Sequence, residues 1–181
     1  MTEGIDVLVI DTNRSAIAKA KMMNIPAVFG SAISPAVLDE VNFAGIGRMI
    51  ALTSNDEVNS LSVLHYNDVF DRKELYQLRP KITGKQDDDK FSPKHLQGRY
   101  LFGEVYDFFT ISRLYESGYT VKATKLSSKF NFETFNKYYG NAIIPLFVVT
   151  EEKNLMVITT EYEVKPKPGQ TIVALLNNPD K

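Results

Sequence analysis

The sequence predicts an α/β fold: a partial parallel sheet covered by helices, followed by a small α+β domain. Three observations predict it. The run Val7 to Asp11, VLVID, is apolar and ends in a carboxylate; the next segment, NRSAIAKAKMMN, is amphipathic at helical spacing; a second apolar run, Ala27 to Phe29, follows. Strand, helix and strand in that order imply parallel pairing, because a helical crossover returns the chain to the same end of the sheet.

The first half repeats this alternation. Asn13 is placed to cap the first helix, with Ala16, Ile17, Ala20 and Met23 at core spacing and Arg14, Lys19 and Lys21 outward. Asn24 and Pro26 close it. Gly30 turns the chain after the second strand. Ser34-Pro35 predicts a helix start, a hydroxyl cap with proline at the first helical position, and Val37, Leu38 and Val41 form the inner face up to Gly45. Met49 to Thr53 reads as a strand. Asn55 or Asp56 caps the next helix, with Val58, Leu61, Leu64 and His65 at core spacing, so His65 is expected as a satisfied core histidine. Glu74 to Leu78 is the last strand, stopped by Pro80.

In such a sheet the ligand crevice lies outside the carboxyl ends of the strands. Three tips fall there: Asp11, Thr12 and Asn13; Gly30, Ser31 and Ala32; Thr53 to Asn55. An acid at the end of the second strand of a Rossmann-like dinucleotide fold bonds the adenosine ribose, and Asp11 sits where that acid belongs. A small-residue turn admits the adenine, and hydroxyl or amide groups bond the remainder. The glycine-rich turn that precedes the acid by roughly 20 residues has no room, since ten residues come before Asp11. The sheet is therefore partial, without its first strand or that turn. In the strand order 3-2-1-4-5 the first strand is central, so the Val7 and Ala27 strands lack a neighbour on the Met49 side. Either the sheet closes across the gap, another chain fills it, or the sequence is a fragment of a longer product.

Bulk properties exclude several classes. The 181 residues are 44% apolar and 24% charged, ordinary for a globular protein, and a net charge of −1 gives no reason to expect nucleic acid or an anionic membrane as partner. The absence of cysteine excludes disulfides and thiolate metal sites and suits a cytoplasmic location. No apolar run approaches ~18 residues, so no membrane insertion is expected, and MTEGID is not the start of a secretory signal. Gly45-Ile46-Gly47 precedes a strand where a phosphate loop must follow one, and reads as a turn.

Three regions are expected: residues 1–80, a linker at 81–95, and a domain at 96–181. The stretch 80–95 carries two prolines and Asp87-Asp88-Asp89, a solvated charge run rather than a calcium loop. His95 has no partner, so no metal is expected. Tyr100 to Phe102 then reads as a strand, Tyr106 to Tyr115 as an aromatic helix ending at Gly118, and Thr120 to Leu126 as a half-buried strand. Asn131 to Tyr139 is a short helix packing Phe132 and Phe135. Ile143 to Val149 and Leu155 to Thr159 form a hairpin across Glu151 to Asn154, and Thr171 to Leu176 closes a mostly antiparallel sheet.

The first half resembles the TrkA-N or RCK regulatory domain of potassium channels and transporters. The resemblance rests on VLVIDTN, the later GSA, Ala44-Gly45-Ile46 before the next strand, and Thr53, Asp56, Glu57 and Asn59 after it. It implies ribose binding by Asp11; Ser31 stands where the family has an acid, which weakens an adenine contact there. Asn59 itself reads as a packing or capping residue. PKPGQTIVALL resembles the closing strand of the small domains that follow such domains, with Gln170 where an acid is usual. FGEVYDFF, VKATKLS and AIIPLFVVTEEKNLMVITTE resemble the cytosolic tail of bacterial sodium/proton antiporters of the monovalent cation:proton antiporter family.

These resemblances imply a cytoplasmic, nucleotide-responsive regulatory domain, dimeric, partnered with a membrane antiporter domain in the same polypeptide or a separate subunit. The implied cofactor is NAD(H) or an adenine nucleotide, bound weakly or not at all by this chain alone. No acid/base pair or nucleophile constellation points to catalysis. Two other readings remain open: a ring-forming subunit of a potassium uptake system, and a fragment of an NAD-dependent oxidoreductase, for which no convincing proton donor is present.

Overall fold

Capping and proline chemistry set the first helices much as the sequence suggests. In a computed structural model, which describes residues 4–81, 97–140, 143–162 and 165–177, β1 (Val9–Asp11) leads into α1 (Arg14–Met22), and the Asn13 side chain accepts hydrogen bonds from the amides of Ser15 and Ala16. β2 (Ala27–Phe29) follows, then α2 (Pro35–Glu40), β3 (Met49–Ala51), α3 (Asp56–His65) and β4 (Leu75–Gln77). Proline does stand at the start of α2, but the Ser34 side chain makes no capping bond. Asp87-Asp88-Asp89 and His95 lie outside the described residues.

The parallel sheet does not close. β1 pairs with β2 in one two-stranded ladder, and β3, β4 and β5 (Arg99–Tyr100) form a second. The expected strand at Tyr100 is thus part of the first half's sheet, parallel to β4, not of an antiparallel second half. Buried Gln77 secures its entry: its Oε1 accepts from the Gly98 amide at 3.0 Å. A side chain at position 98 would meet Val63 Cγ2 at 2.8 Å, so only glycine fits there.

Two expectations for α3 fail. Its buried residues are Asn59, Ser62 and Val63, while Leu61 and Leu64 are 49% and 41% exposed. The polar pair is tolerated inside because both are bonded; Ser62 Oγ donates to the Val58 carbonyl at 2.7 Å. His65 is only partly buried, and its Nε2 is enclosed without a partner, so it is not the satisfied core histidine expected.

The second sheet is antiparallel, with order β6 (Thr120–Lys125), β9 (Thr171–Leu176), β7 (Ile143–Val149), β8 (Leu155–Val157). Pro145 cannot donate to a ladder, and the β7–β9 register shifts between Pro145 and Phe147. β6 is an edge strand, exposed along all but Thr124 rather than half-buried, and its Lys122 and Lys125 blunt the edge. Two helices, α4 (Phe108–Glu116) and α5 (Phe132–Tyr139), complete this half.

Among the described residues there are three cores. Val63, Tyr66, Phe70 and Leu75 form one under the first half, with Ile10 and Met49 packed against it. Leu126, Phe135, Ile172 and Leu176 form another around α5. The third draws on both halves: Tyr76 and Leu78 pack with Leu101, Phe102, Ile144, Leu146 and Leu175. The contact is reinforced by Arg48, whose guanidinium pairs with Glu74 at 3.2 Å and donates to the Leu155 carbonyl in β8.

Candidate functional site

The candidate residues form two groups on either side of the break in the sheet. At the carboxyl end of β1, Asp11 Oδ1 accepts from the Asn13 amide at 2.7 Å, fixing the turn that starts α1. Thr12 is exposed between them. Among the described residues no bond engages the other carboxylate oxygen of Asp11, which is free to accept from a ligand hydroxyl.

Gly30 lies beside it. Its amide donates to the Asp11 carbonyl at 3.0 Å, which extends the β1–β2 ladder by one step. A Cβ at position 30 would stand 2.6 Å from Val37 Cγ2, so glycine is required by the approach of α2 rather than by its backbone angle. Ser31 and Ala32 continue the turn, and the Ser31 carbonyl accepts from the Ser34 amide at 2.9 Å.

Thr53 and Asn55 belong to the other ladder and are held by their own network. Asn59, fully buried, accepts from the Thr53 amide at 2.9 Å and the Thr53 hydroxyl at 2.8 Å, and its Nδ2 donates to the Thr53 carbonyl at 2.9 Å. Asn55 caps α3, accepting from the Val58 amide at 3.0 Å. Asn59 therefore fastens the Thr53 turn, the packing role the sequence favoured for it.

One group near Asp11 has no part in the sequence reading beyond being outward-facing. The Arg14 guanidinium lies 4.1 Å from the centre of the exposed Phe29 ring, beside the Asp11 and Gly30 tips. It presents a positive, flat surface next to a carboxylate, suited to a nucleotide's base or phosphate. The signal was available: a basic residue three positions after the acid, in the first turn of the helix.

Residues 1–92 match the TrkA-N domain, and the chain belongs to that family. Domains of this family are regulatory, generally for potassium or other cation transport, and typically bind NAD(H). No curated protein matches the chain. Among solved structures, the GsuK RCK domain is similar over 93% of this chain and 43% of its own, at 11% identity and a TM-score of 0.34. This chain thus spans less than half the length of that one. No helix among the described residues is long and apolar enough to cross a membrane.

Proposed function

We propose that this chain is a nucleotide-responsive regulatory domain of a cation/proton antiporter, controlling monovalent cation transport. The regulatory unit is residues 1–80, joined through 81–95 to a C-terminal unit at 96–181. The ligand is NAD(H) or an adenine nucleotide. Its ribose hydroxyls bond Asp11, with Thr12 and Asn13 alongside; its adenine lies against Gly30, Ser31 and Ala32; Thr53 and Asn55 face the remainder. The partner is a membrane antiporter domain, the assembly is dimeric, and the domain works at the cytoplasmic face.

The observation that supports this reading is the Asp11 carboxylate at the carboxyl end of a parallel strand, with one oxygen tied to its own turn and the other uncommitted. Among the described residues no glycine-rich turn stands beside Asp11 at a helix start that could hold the diphosphate, so weak affinity is expected of this chain alone.

Calorimetry with NAD, NADH, ATP and ADP, supported by amide shift mapping, tests it. The expected result is binding weaker than micromolar, with shifts at Asp11 and Gly30 that disappear in Asp11→Ala. Micromolar NAD affinity would overturn the expected weakness. Shifts that persist unchanged in Asp11→Ala would overturn the site.

A further inference from the structure

The chain that continues β8 changes partner, and the change opens a cavity. β8 runs beside β7 from Leu155 to Val157, paired with Val149, Val148 and Phe147. At Ile158 the amide still donates to the Leu146 carbonyl of β7 at 3.1 Å, while the carbonyl accepts from the Phe102 amide at 3.0 Å. In a regular antiparallel ladder both groups of one residue meet the same neighbour, so the backbone turns here. Thr159 then bridges Leu101, and the Thr160 amide donates to the Tyr100 carbonyl of β5 at 3.0 Å. Ile143 to Pro145, the earlier part of β7, are left with β9 as their partner strand among the described residues. Pro145 has no amide, so it leaves no donor to satisfy at that point.

The cavity in this fork has a volume of about 530 Å³, the size of a small-molecule site. Ile143 and Pro145 line one arm and Ile158 the other. Two aromatic rings reach it from different elements, Phe132 from α5 and Tyr162 from beyond the fork. Phe132 is held by Phe135, whose ring lies 18° from parallel with it, and Tyr162 is 51% exposed. The polar lining is acidic or neutral. Glu104 is the one charged residue that lines the cavity among those described. Its Oε2 is paired with Arg79, and no bond among the described residues engages Oε1. The Asn136 side-chain amide and the Thr160 hydroxyl are equally uncommitted among the described residues. Arg79 and Arg99 bond Glu104 and Thr159 but do not themselves line the cavity.

The geometry points to a binding site in this fork for a small, flat aromatic heterocycle that is uncharged or cationic and carries an N–H donor. The ring packs on Phe132 and Tyr162, which offer apolar area with little freedom to lose. Its donor bonds the free Oε1 of Glu104, and Asn136 and Thr160 hold the remaining polar edge. A positive charge gains from both the carboxylate and the aromatic faces. A phosphate or carboxylate meets no lining cation and is repelled by Glu104. The site thus takes a ligand of different chemistry from the one at the Asp11, Gly30 and Thr53 tips. It shares no residue with them and does not rest on the nucleotide reading. An occupant touches α5 and β7 of the second half and the turn that leaves β5, a strand of the first half's sheet. It therefore bears on how the two sheets are joined.

The test is amide shift mapping of the whole chain with tryptamine, indole and indole-3-acetate, one ring in cationic, neutral and anionic form. Tryptamine is expected to saturate with a Kd of about 1 mM, as suits a ligand of this size. It moves the amides of Gly103, Gly140 and Thr160 together and leaves those of Asp11 and Gly30 in place. Indole binds more weakly, and indole-3-acetate at least about tenfold more weakly than tryptamine. Glu104→Gln lowers tryptamine to the level of indole. Asn136→Trp, at an exposed position of α5, fills the cavity and abolishes the shifts; should it fail to fold, Glu104→Gln decides. The proposal is overturned if tryptamine does not saturate by about 10 mM or moves amides elsewhere instead. It is equally overturned if indole-3-acetate is less than about tenfold weaker, if the preference for tryptamine survives Glu104→Gln, or if folded Asn136→Trp keeps the shifts.

Discussion

Replacing Asn59 by alanine separates a fastening role from a ligand role. Asn59 makes three hydrogen bonds to Thr53, at 2.9, 2.8 and 2.9 Å, from a position that is 0% exposed. Each such bond contributes roughly 1 kcal/mol net, so the three together contribute about 3 kcal/mol. Thr53 is itself exposed, and its freed amide and carbonyl recover part of this from water, leaving a loss of about 2 kcal/mol. For a chain of this size each kcal/mol lowers the melting temperature by about 2–4 °C, so the expected fall is about 4–8 °C. Thermal and urea unfolding read the loss, and amide exchange at Thr53 reads its location, accelerating there more than at Val9. A ligand-only role for Asn59 would leave stability within about 0.5 kcal/mol of the parent, and that result would refute the reasoning.

Three further outcomes follow from the packing. Gly30→Ala places a methyl 2.6 Å from Val37 Cγ2 and is expected to cost about 1–3 kcal/mol by urea unfolding; the double variant with Val37→Ala should lose less than the sum, and strict additivity would refute a clash. Arg48→Met removes the Glu74 ion pair and the bond to the Leu155 carbonyl, with an expected loss of about 1–2 kcal/mol; a change below about 0.5 kcal/mol would show that the seam does not depend on it. Burial raises the pKa of Tyr66 above 10.0. The folded state then holds this proton more tightly than the unfolded chain, so its contribution is full below pH 10.0 and is lost as pH rises toward the folded value. Tyr66→Phe should flatten the alkaline limb of the stability profile without lowering stability at neutral pH, since the hydroxyl has no partner to lose.

What could be read in advance was local. Asn13 as a cap, Ala27 to Phe29 and Thr171 to Leu176 as strands, and the hairpin of β7 and β8 all came from spacing and turn chemistry, and the structure holds them. The misreadings needed tertiary information. Hydropathy turned Leu61 and Leu64 of α3 inward, but Asn59 and Ser62 occupy that face because each has a backbone partner the sequence does not reveal. Alternation in β6 suggested one covered face, yet the strand lies at an edge and is exposed along all but Thr124. The parallel docking of β5 on β4 depends on Gln77 reaching the Gly98 amide, two residues separated by the whole 82–96 connection. At the site, each tip was legible as a turn, while the split into an Asp11–Gly30 group and a Thr53–Asn55 group reflects the open sheet.

That split constrains how a ligand could act on the rest of the chain. β3 is three residues long, with the Thr53 network just beyond its carboxyl end and Arg48 immediately before its amino end. Arg48 grips Glu74 and the β8 carbonyl of Leu155, and Ile50, midway, packs on the core shared by both halves. A ligand touching only Asp11 and Gly30 meets the β1–β2 ladder, which has no backbone pairing to β3. A ligand that also bonds Thr53 or Asn55 pulls on an element fastened at its far end to the second half. To shift the packing tenfold it must favour one arrangement by about 1.4 kcal/mol, roughly one or two hydrogen bonds. A ligand spanning both groups would therefore couple two ladders that share the core around Tyr66 but, among the described residues, have no backbone pairing to each other.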